Sequence, residues 1–187
     1  MILRGGCFKI PSLFYPHHLP YSNSAFDATI CHFLLLWVTD PDQVLREMKR
    51  VTRSKGYVIA FAEPDYGGRI DYPDELIEIG QLQSQSLSQQ GADPNIGRKL
   101  AALFSSAGLN NIEFGVLGGQ WRVADKLPDG YNEWTIIEND LNELISKQRM
   151  KQLQQLDFQA RSNGERVLYV PTFYAFGQVP EKNSQDC

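Results

Sequence analysis

Cysteine is scarce: the 187-residue chain has three, Cys7, Cys31 and Cys187, an odd number scattered from end to end. With no pair at metal-ligand spacing, neither a disulfide framework nor a zinc site is expected, and a reducing cytoplasm is the expected compartment. Long apolar runs are absent too. The longest, Phe33 to Val38, is far short of the ~20 residues that cross a bilayer, and the segment around Arg4 has no stretch long enough for a signal sequence. Nor is there a basic surplus. With 18 Lys and Arg against 22 Asp and Glu the net charge is -4, which offers phosphate backbones no attractive field, so neither nucleic acid nor a membrane is an expected partner. A small or neutral ligand fits better.

What is present suffices for one substantial core: 42% of residues are hydrophobic and 21% charged, for which a single domain is the default reading. Residues 1–25 carry Pro11, Pro16 and Pro20 among serines and allow at most one short strand, near Cys7 to Ile10. From Ala25 to Val38 the text is apolar without clean alternation, the pattern of a strand covered on both faces. Asp40 is an N-cap with Pro41 at the first helical position, and Val44, Leu45, Met48 and Val51 recur at helical spacing up to Lys55-Gly56. Tyr57 to Ala62 is a second apolar strand, so strand, helix and strand form a right-handed parallel unit. Pro73-Asp74-Glu75 opens a polar helix reaching about Gln90, Gly97 to Ala107 is helical, and Ile112 to Leu117 is a strand. Trp134 to Leu156 reads as one or two helices, and Arg166 to Phe176 as a final β-rich run before a polar tail.

Phe26-Asp27, Leu36-Trp37-Val38, Asp40-Pro41, Glu47 through Arg50-Val51, Gly56 and Glu63-Pro64-Asp65 together resemble the class I S-adenosylmethionine-dependent methyltransferases of the small-molecule, type 11-like kind. The resemblance continues through Gly91-Ala92-Asp93-Pro94, Gly97-Arg98-Lys99-Leu100, Ala107-Gly108-Leu109 and Val170-Pro171-Thr172-Phe173-Tyr174. It implies an α/β, Rossmann-like sheet of strand order 3-2-1-4-5-7-6 with the last strand antiparallel. This chain would carry the C-terminal half, strands 4, 5, 6 and 7, with a helical lid insertion at about 121–160. The cofactor implied is S-adenosylmethionine.

The same family places a Gly-rich turn after its first strand and an acidic residue, which holds the ribose hydroxyls, at the end of its second. Neither has a counterpart here. Gly5-Gly6 stands too near the start, and Gly67-Gly68 and Gly118-Gly119 fall elsewhere in the topology, so each is expected to be an ordinary turn. His18-Leu19-Pro20 matches the family, but Tyr15-Pro16 stand where it has Asp-Ala. Residues 1–16 are therefore expected to be an unrelated or disordered segment, as an alternative start, a frameshift or a truncated gene would leave. Residues 17–178 would be a partial methyltransferase domain and 179–187 a polar tail. The open edge of the first strand would then need a cover: the N-terminal segment, a second copy in a homodimer, or a partner chain.

Methyl transfer from a sulfonium is an in-line displacement, which needs nucleophile and methyl held collinear in a dry pocket and few obligatory side chains. Candidates come from the C-terminal ends of the strands, where open α/β sheets bind ligands. By the resemblance, Cys31, His32 and Phe33 face the methionine part of the cofactor, and His17, His18 and Leu19 lie beside its adenine. His32 is either a base or a structural histidine at a strand end. Glu63, Asp65 and Tyr66 stand where the family meets its acceptor and are the catalytic candidates: a carboxylate to orient an amine or hydroxyl, with Tyr66 packing on it. The bland alternative is a capped turn. Arg69 and Tyr72 are substrate-binding candidates at the same mouth, although Arg69 and Asp71 would otherwise form a surface ion pair of little weight. Trp121, near Tyr131 and Trp134, either lines an acceptor pocket or packs the lid. Adjacent His17 and His18 lack a third ligand, so no metal is expected. The activity implied is methyl transfer to an unknown small acceptor, impaired by loss of the Gly-rich loop. The rival reading is an inactive, truncated fold that serves as a binding or interaction module.

Overall fold

The computed structural model describes residues 2–4, 7–9, 16–119 and 133–181. In chain order the elements are β1 (Ile2–Arg4), β2 (Cys7–Lys9), β3 (Phe26–His32), α1 (Pro41–Val51), β4 (Thr52–Pro64), β5 (Ile70–Tyr72), α2 (Ile77–Gln89), α3 (Leu100–Ser106), β6 (Asn110–Leu117), α4 (Glu133–Leu141), α5 (Lys147–Ser162), β7 (Val167–Tyr169) and β8 (Thr172–Gln178). They divide into two compact units, one of Met1–Asp65, Asn95–Leu117 and Thr172–Cys187, the other of Tyr66–Pro94 and Gly118–Pro171. No helix among the described residues is long and apolar enough to cross a membrane.

The first unit is built on local signals that act as expected. The Asp40 carboxylate accepts the Gln43 amide at 2.8 Å and Pro41 follows it, so α1 starts where its orphan donors are satisfied. The apolar stripe of α1, Val44, Leu45, Met48 and Val51, is buried. The chain turns straight into β4, which begins at Thr52, five residues before the expected strand start at Tyr57.

The sheet order is β2-β1-β3-β4-β8-β6. β3 and β4 are parallel across the α1 crossover, while β8 runs antiparallel to both β4 and β6. The run β3-β4-β8-β6 thus reproduces the 4-5-7-6 half of the expected order, with the antiparallel strand in its expected place. Thr29 faces α1, its hydroxyl 3.4 Å from the Met48 carbonyl. A Cβ built on Gly177 would meet Leu109 and Phe104, which sets that strand's inner face against α3. Thr29, Cys31, Val58, Ala60 and Ala175 are buried on this helix-covered side, whereas Tyr57 and Phe61 on the alternate positions are 44% and 42% exposed.

One expectation changes at the N-terminus. β1 and β2 are two strands rather than one, and β1 lies antiparallel on β3, with Ile2 opposite Thr29 and Leu3 opposite Ala28. Of the three covers considered for that edge, the N-terminal segment is the one found.

Between β3 and β4 the backbones approach so closely that only glycine fits at position 56. A Cβ there would stand 2.5 Å from the Asp27 carbonyl oxygen and 2.9 Å from that of Arg53. Since neither oxygen is a flexible side-chain end, Gly56→Ala is expected to cost about 1–3 kcal/mol, measured as a shift in the urea midpoint. A variant as stable as the parent would show that the β3–β4 spacing relaxes freely.

The second unit pairs β5 with β7 as an antiparallel ribbon and packs α2, α4 and α5 around Leu76, Ile79, Ile137, Leu141, Met150 and Leu153. The stretch expected as one or two helices is two. Between them Ser146 caps α5, its side chain accepting the Arg149 amide.

Candidate functional site

At the C-terminal end of the parallel pair, the expected strand from Ala25 to Val38 stops early, at His32. Phe33 takes a left-handed conformation (φ 50°) and residues 35–37 form a turn of 3-10 helix. The physical reason lies on β4. A register shift between Ala60 and Glu63, with Ala62 also left-handed at φ 59°, turns the Glu63 side chain inward. There one carboxylate oxygen accepts the amides of Leu34 at 2.9 Å and Leu35 at 3.1 Å, and the other accepts Leu36 at 3.3 Å. Three amides freed from the strand ladder thus find one acceptor group 27 to 29 residues away. Glu63 is fully buried. Burial pushes its carboxyl above the usual range, against the opposing pull of the three amides.

The other candidates on this end of the sheet gather around that fastening. Cys31 is buried, and burial together with the nearby Glu63 charge pushes its thiol up, which disfavours the thiolate. His32 is exposed, its ring stacked on Phe61 at 6.0 Å, and Phe33 is 41% exposed with its amide donated to the Phe61 carbonyl. Asp65, only 2% exposed, accepts a fork of hydrogen bonds from Arg98 at 2.5 and 2.6 Å. Arg98 was legible only as part of a family motif and not as a partner of Asp65. Its neighbour Gly97 gives the reason it can approach: a Cβ on Gly97 would press on the Phe173 ring at 2.7 Å and the Glu63 carbonyl at 2.8 Å.

The expected adenine-side segment is held from below. Glu47, buried at 6% exposure, accepts the Leu19 amide at 3.0 Å and pairs with Arg50 at 2.8 Å. Arg50 in turn donates to the carbonyls of Leu19 and Tyr21 and to Asn23. The hydrogen bond to Arg50 is the main force lowering the Glu47 carboxyl, with burial opposing it. Leu19 itself packs into a small core with Phe26 and Val51. The His17 backbone carbonyl accepts from Gln43, and its Nε2 is buried without a partner among the described residues, while His18 is exposed.

The remaining candidates belong to the second unit. Tyr66 is half-buried, Tyr72 is 52% exposed, and Trp121 lies outside the described residues. Arg69 and Asp71 do pair, but not at the surface: their side chains are 5% and 2% exposed. Arg69 also donates to Gln83, and Arg166 bridges Asp71 at 2.7 Å to Asp157 at 2.6 Å. Asp157 further accepts from Arg161 at 2.8 Å and from the Trp134 indole at 2.9 Å. The guanidinium of Arg69 is thus spent inside an ionic network that joins β5, α2, α4 and α5. Burial pulls the Asp157 carboxyl up, but the bonds from Arg161, Trp134 and Arg166 outweigh it and leave it below the usual range. No group of three or more potential metal ligands occurs among the described residues.

Residues 14–60, a stretch that includes β3, α1 and the start of β4, match the family described as "Methyltransferase domain". An uncharacterized methyltransferase of Schizosaccharomyces pombe is 35% identical over 94 residues, which is 50% of this chain and 32% of that protein. An uncharacterized protein in a transposon of Streptomyces fradiae is 34% identical over 94 residues, 49% of this chain and 26% of that one. The chain therefore matches about a third or less of each relative's length. Among solved structures, the YcgJ protein of Bacillus subtilis has a TM-score of 0.48 at 17% identity, covering 89% of this chain and 69% of that one. A Haemonchus contortus phosphoethanolamine N-methyltransferase 2, solved with S-adenosyl-L-methionine, has 0.48 at 10%, covering 89% and 36%. Residues 14–60 are thus similar to a methyltransferase domain, and they run into an α/β sheet whose order β3-β4-β8-β6 sets a parallel pair beside an antiparallel strand.

Proposed function

We propose that this chain takes part in methyl transfer from S-adenosylmethionine, the cofactor of its class, to a small-molecule acceptor. The observation that carries the reading is the Glu63 fastening. It shapes the C-terminal ends of β3 and β4, with Cys31, His32 and Phe33 before it and Asp65 after it, where an open α/β sheet presents its ligand face. On this reading Glu63 is a positioning residue, because both its oxygens already serve backbone amides. Asp65, whose two oxygens both accept from Arg98, likewise holds the chain after β4 on the acceptor side, and His32 and Phe33 form the wall for the methionine part. Tyr66, Arg69, Tyr72 and Trp121 belong to the acceptor side only in the sense of the family likeness. The scattered cysteines favour the cytoplasm as its place of work.

The fit to the cofactor is partial. β1 stands beside β3, where the family has the strand that leads into its Gly-rich turn, but it runs antiparallel, from Thr29 toward Ala28. It therefore runs toward the end of the sheet opposite Glu63, and no described residue supplies the missing turn. This supports a weakened cofactor site and keeps the second reading, an inactive interaction module, in play.

Calorimetric titration of the full chain with S-adenosylhomocysteine separates the two, because this ligand needs the cofactor site but no acceptor. Saturable binding at micromolar concentrations, lost in Asp65-independent fashion when His32 and Phe33 are replaced by alanine, is the expected result. A folded chain with no heat of binding at millimolar ligand would overturn methyl transfer and leave the module.

A further inference from the structure

Two lysines in the second unit have no partner among the described residues and share one concavity. Between α4 and α5 lies a cavity of about 350 Å³, within the size range of small-ligand sites. Lys147 and Lys151 stand one helical turn apart and so on the same face of α5. Both are exposed, and neither makes an ion pair or hydrogen bond among the described residues. Across from them, Asn139 and Asn142 reach the same cavity and their side-chain amides are likewise unbonded among the described residues. The floor is apolar, made by Ile145 and the buried Met150.

Electrostatics makes the arrangement unfavourable as it stands. Like charges at i and i+4 on a helix repel, and cations at a helix N-terminus oppose the helix dipole. The first turn of α5 holds Lys147 and Arg149 and no acidic residue. Arg149 is neutralised by Glu78. The one carboxylate on the cavity wall, Glu138, accepts from the neutral Gln154 amide and keeps its charge. The two ammonium groups outnumber it, and they line the cavity with two amides unbonded among the described residues and an apolar floor.

We propose that this cavity is a binding site for a small organic carboxylate with a short apolar arm: the carboxylate between Lys147 and Lys151, its second oxygen to Asn139 or Asn142, and the arm on Ile145 and Met150. A charged oxygen accepting from two ammonium groups removes the repulsion and the dipole penalty together. The apolar arm adds burial that acetate lacks.

Amide chemical-shift titration of the isotope-labelled full chain tests the site, at low salt so that exposed charges are not screened. The probes are sodium hexanoate, sodium acetate and uncharged hexanamide. Saturable shifts confined to α4 and the start of α5, tighter for hexanoate than for acetate and absent with hexanamide, are expected. Each of Lys147→Gln and Lys151→Gln should weaken hexanoate about tenfold, whereas Lys151→Arg keeps the charge and should retain binding. Equal shifts with hexanoate and hexanamide, or binding unchanged in the Lys147→Gln, Lys151→Gln double variant, would overturn the proposal.

Discussion

Replacing Glu63 by alanine is expected to remove about 4 kcal/mol of stability, the largest single-site effect in the first unit. Three amides lose their acceptor, those of the half-buried Leu34 and the buried Leu35 and Leu36, and each unsatisfied buried group costs roughly 1–3 kcal/mol. The side chain is fully buried, so its loss also leaves a cavity. Glu63→Gln keeps one carbonyl oxygen for the amides of Leu34 and Leu35 and drops a buried charge, so it should lose less. Urea denaturation followed by circular dichroism measures both.

The pH dependence gives the same residue a second signature. Burial raises the folded-state carboxyl above its unfolded value, so the folded chain holds this proton to higher pH than the unfolded chain does. This group's contribution to stability therefore falls as pH rises from the ordinary glutamate range toward the folded value, and Glu63→Gln should lack that decline. An alanine variant as stable as the parent would show that the turn after β3 holds without the fastening, and would remove the basis for treating Glu63 as the positioning residue of the ligand face.

Asp157→Asn should be comparably severe in the second unit. Its carboxylate receives Arg161, Arg166 and the Trp134 indole, and the Arg166 and Asp157 side chains are 5% and 4% exposed. Removing one member of a buried ion pair leaves the other uncompensated, a loss of about 3–5 kcal/mol. Here the loss falls on the α5–β7 junction and on the anchor of α4. Because the chain has two compact units, unfolding need not be a single step, so amide hydrogen exchange in α4 and α5 is the sharper readout: exchange there should speed up while β3 and β4 change little.

The direction of the Asp157 shift adds a pH test. Its folded-state carboxyl lies below the unfolded value, so the stability it supplies is fully present above the ordinary aspartate range and is lost as pH falls through the folded value. Wild-type protection in α4 and α5 should decay in acid over that window, and Asp157→Asn, already weakened, should show little of the decay. Equal protection in both proteins at neutral pH would mean that the ionic network is ornamental to the unit's stability.

Much of the first unit was legible without coordinates because its signals are local. Asp40 and Pro41 cap the helix they precede, the stripe Val44, Leu45, Met48 and Val51 names its buried face, and a strand, short helix and strand can return only as a parallel pair. The family text supplied the 4-5-7-6 neighbourhood, and the antiparallel β8 lies where that text places it.

What composition could not place was any feature whose cause lies far along the chain. The apolar run to Val38 has no breaker at His32; the strand stops there because Glu63, about 30 residues on, offers the next three amides an acceptor. Arg69 and Asp71, two residues apart, read as a surface pair, and only Gln83 and Arg166 brought against them make the pair a buried one. Likewise no pattern in residues 1–16 announces that Ile2 and Leu3 pair with β3, since strand partners are chosen by an open edge rather than by local propensity. The sequence by itself determined the helix starts, the apolar faces and the order of the parallel pair, because neighbours within a turn or two carry those energies. The tertiary structure alone decided where strands end, which charges are buried and which edge the N-terminus covers, because those depend on hydrogen-bond partners that the chain brings together only by folding.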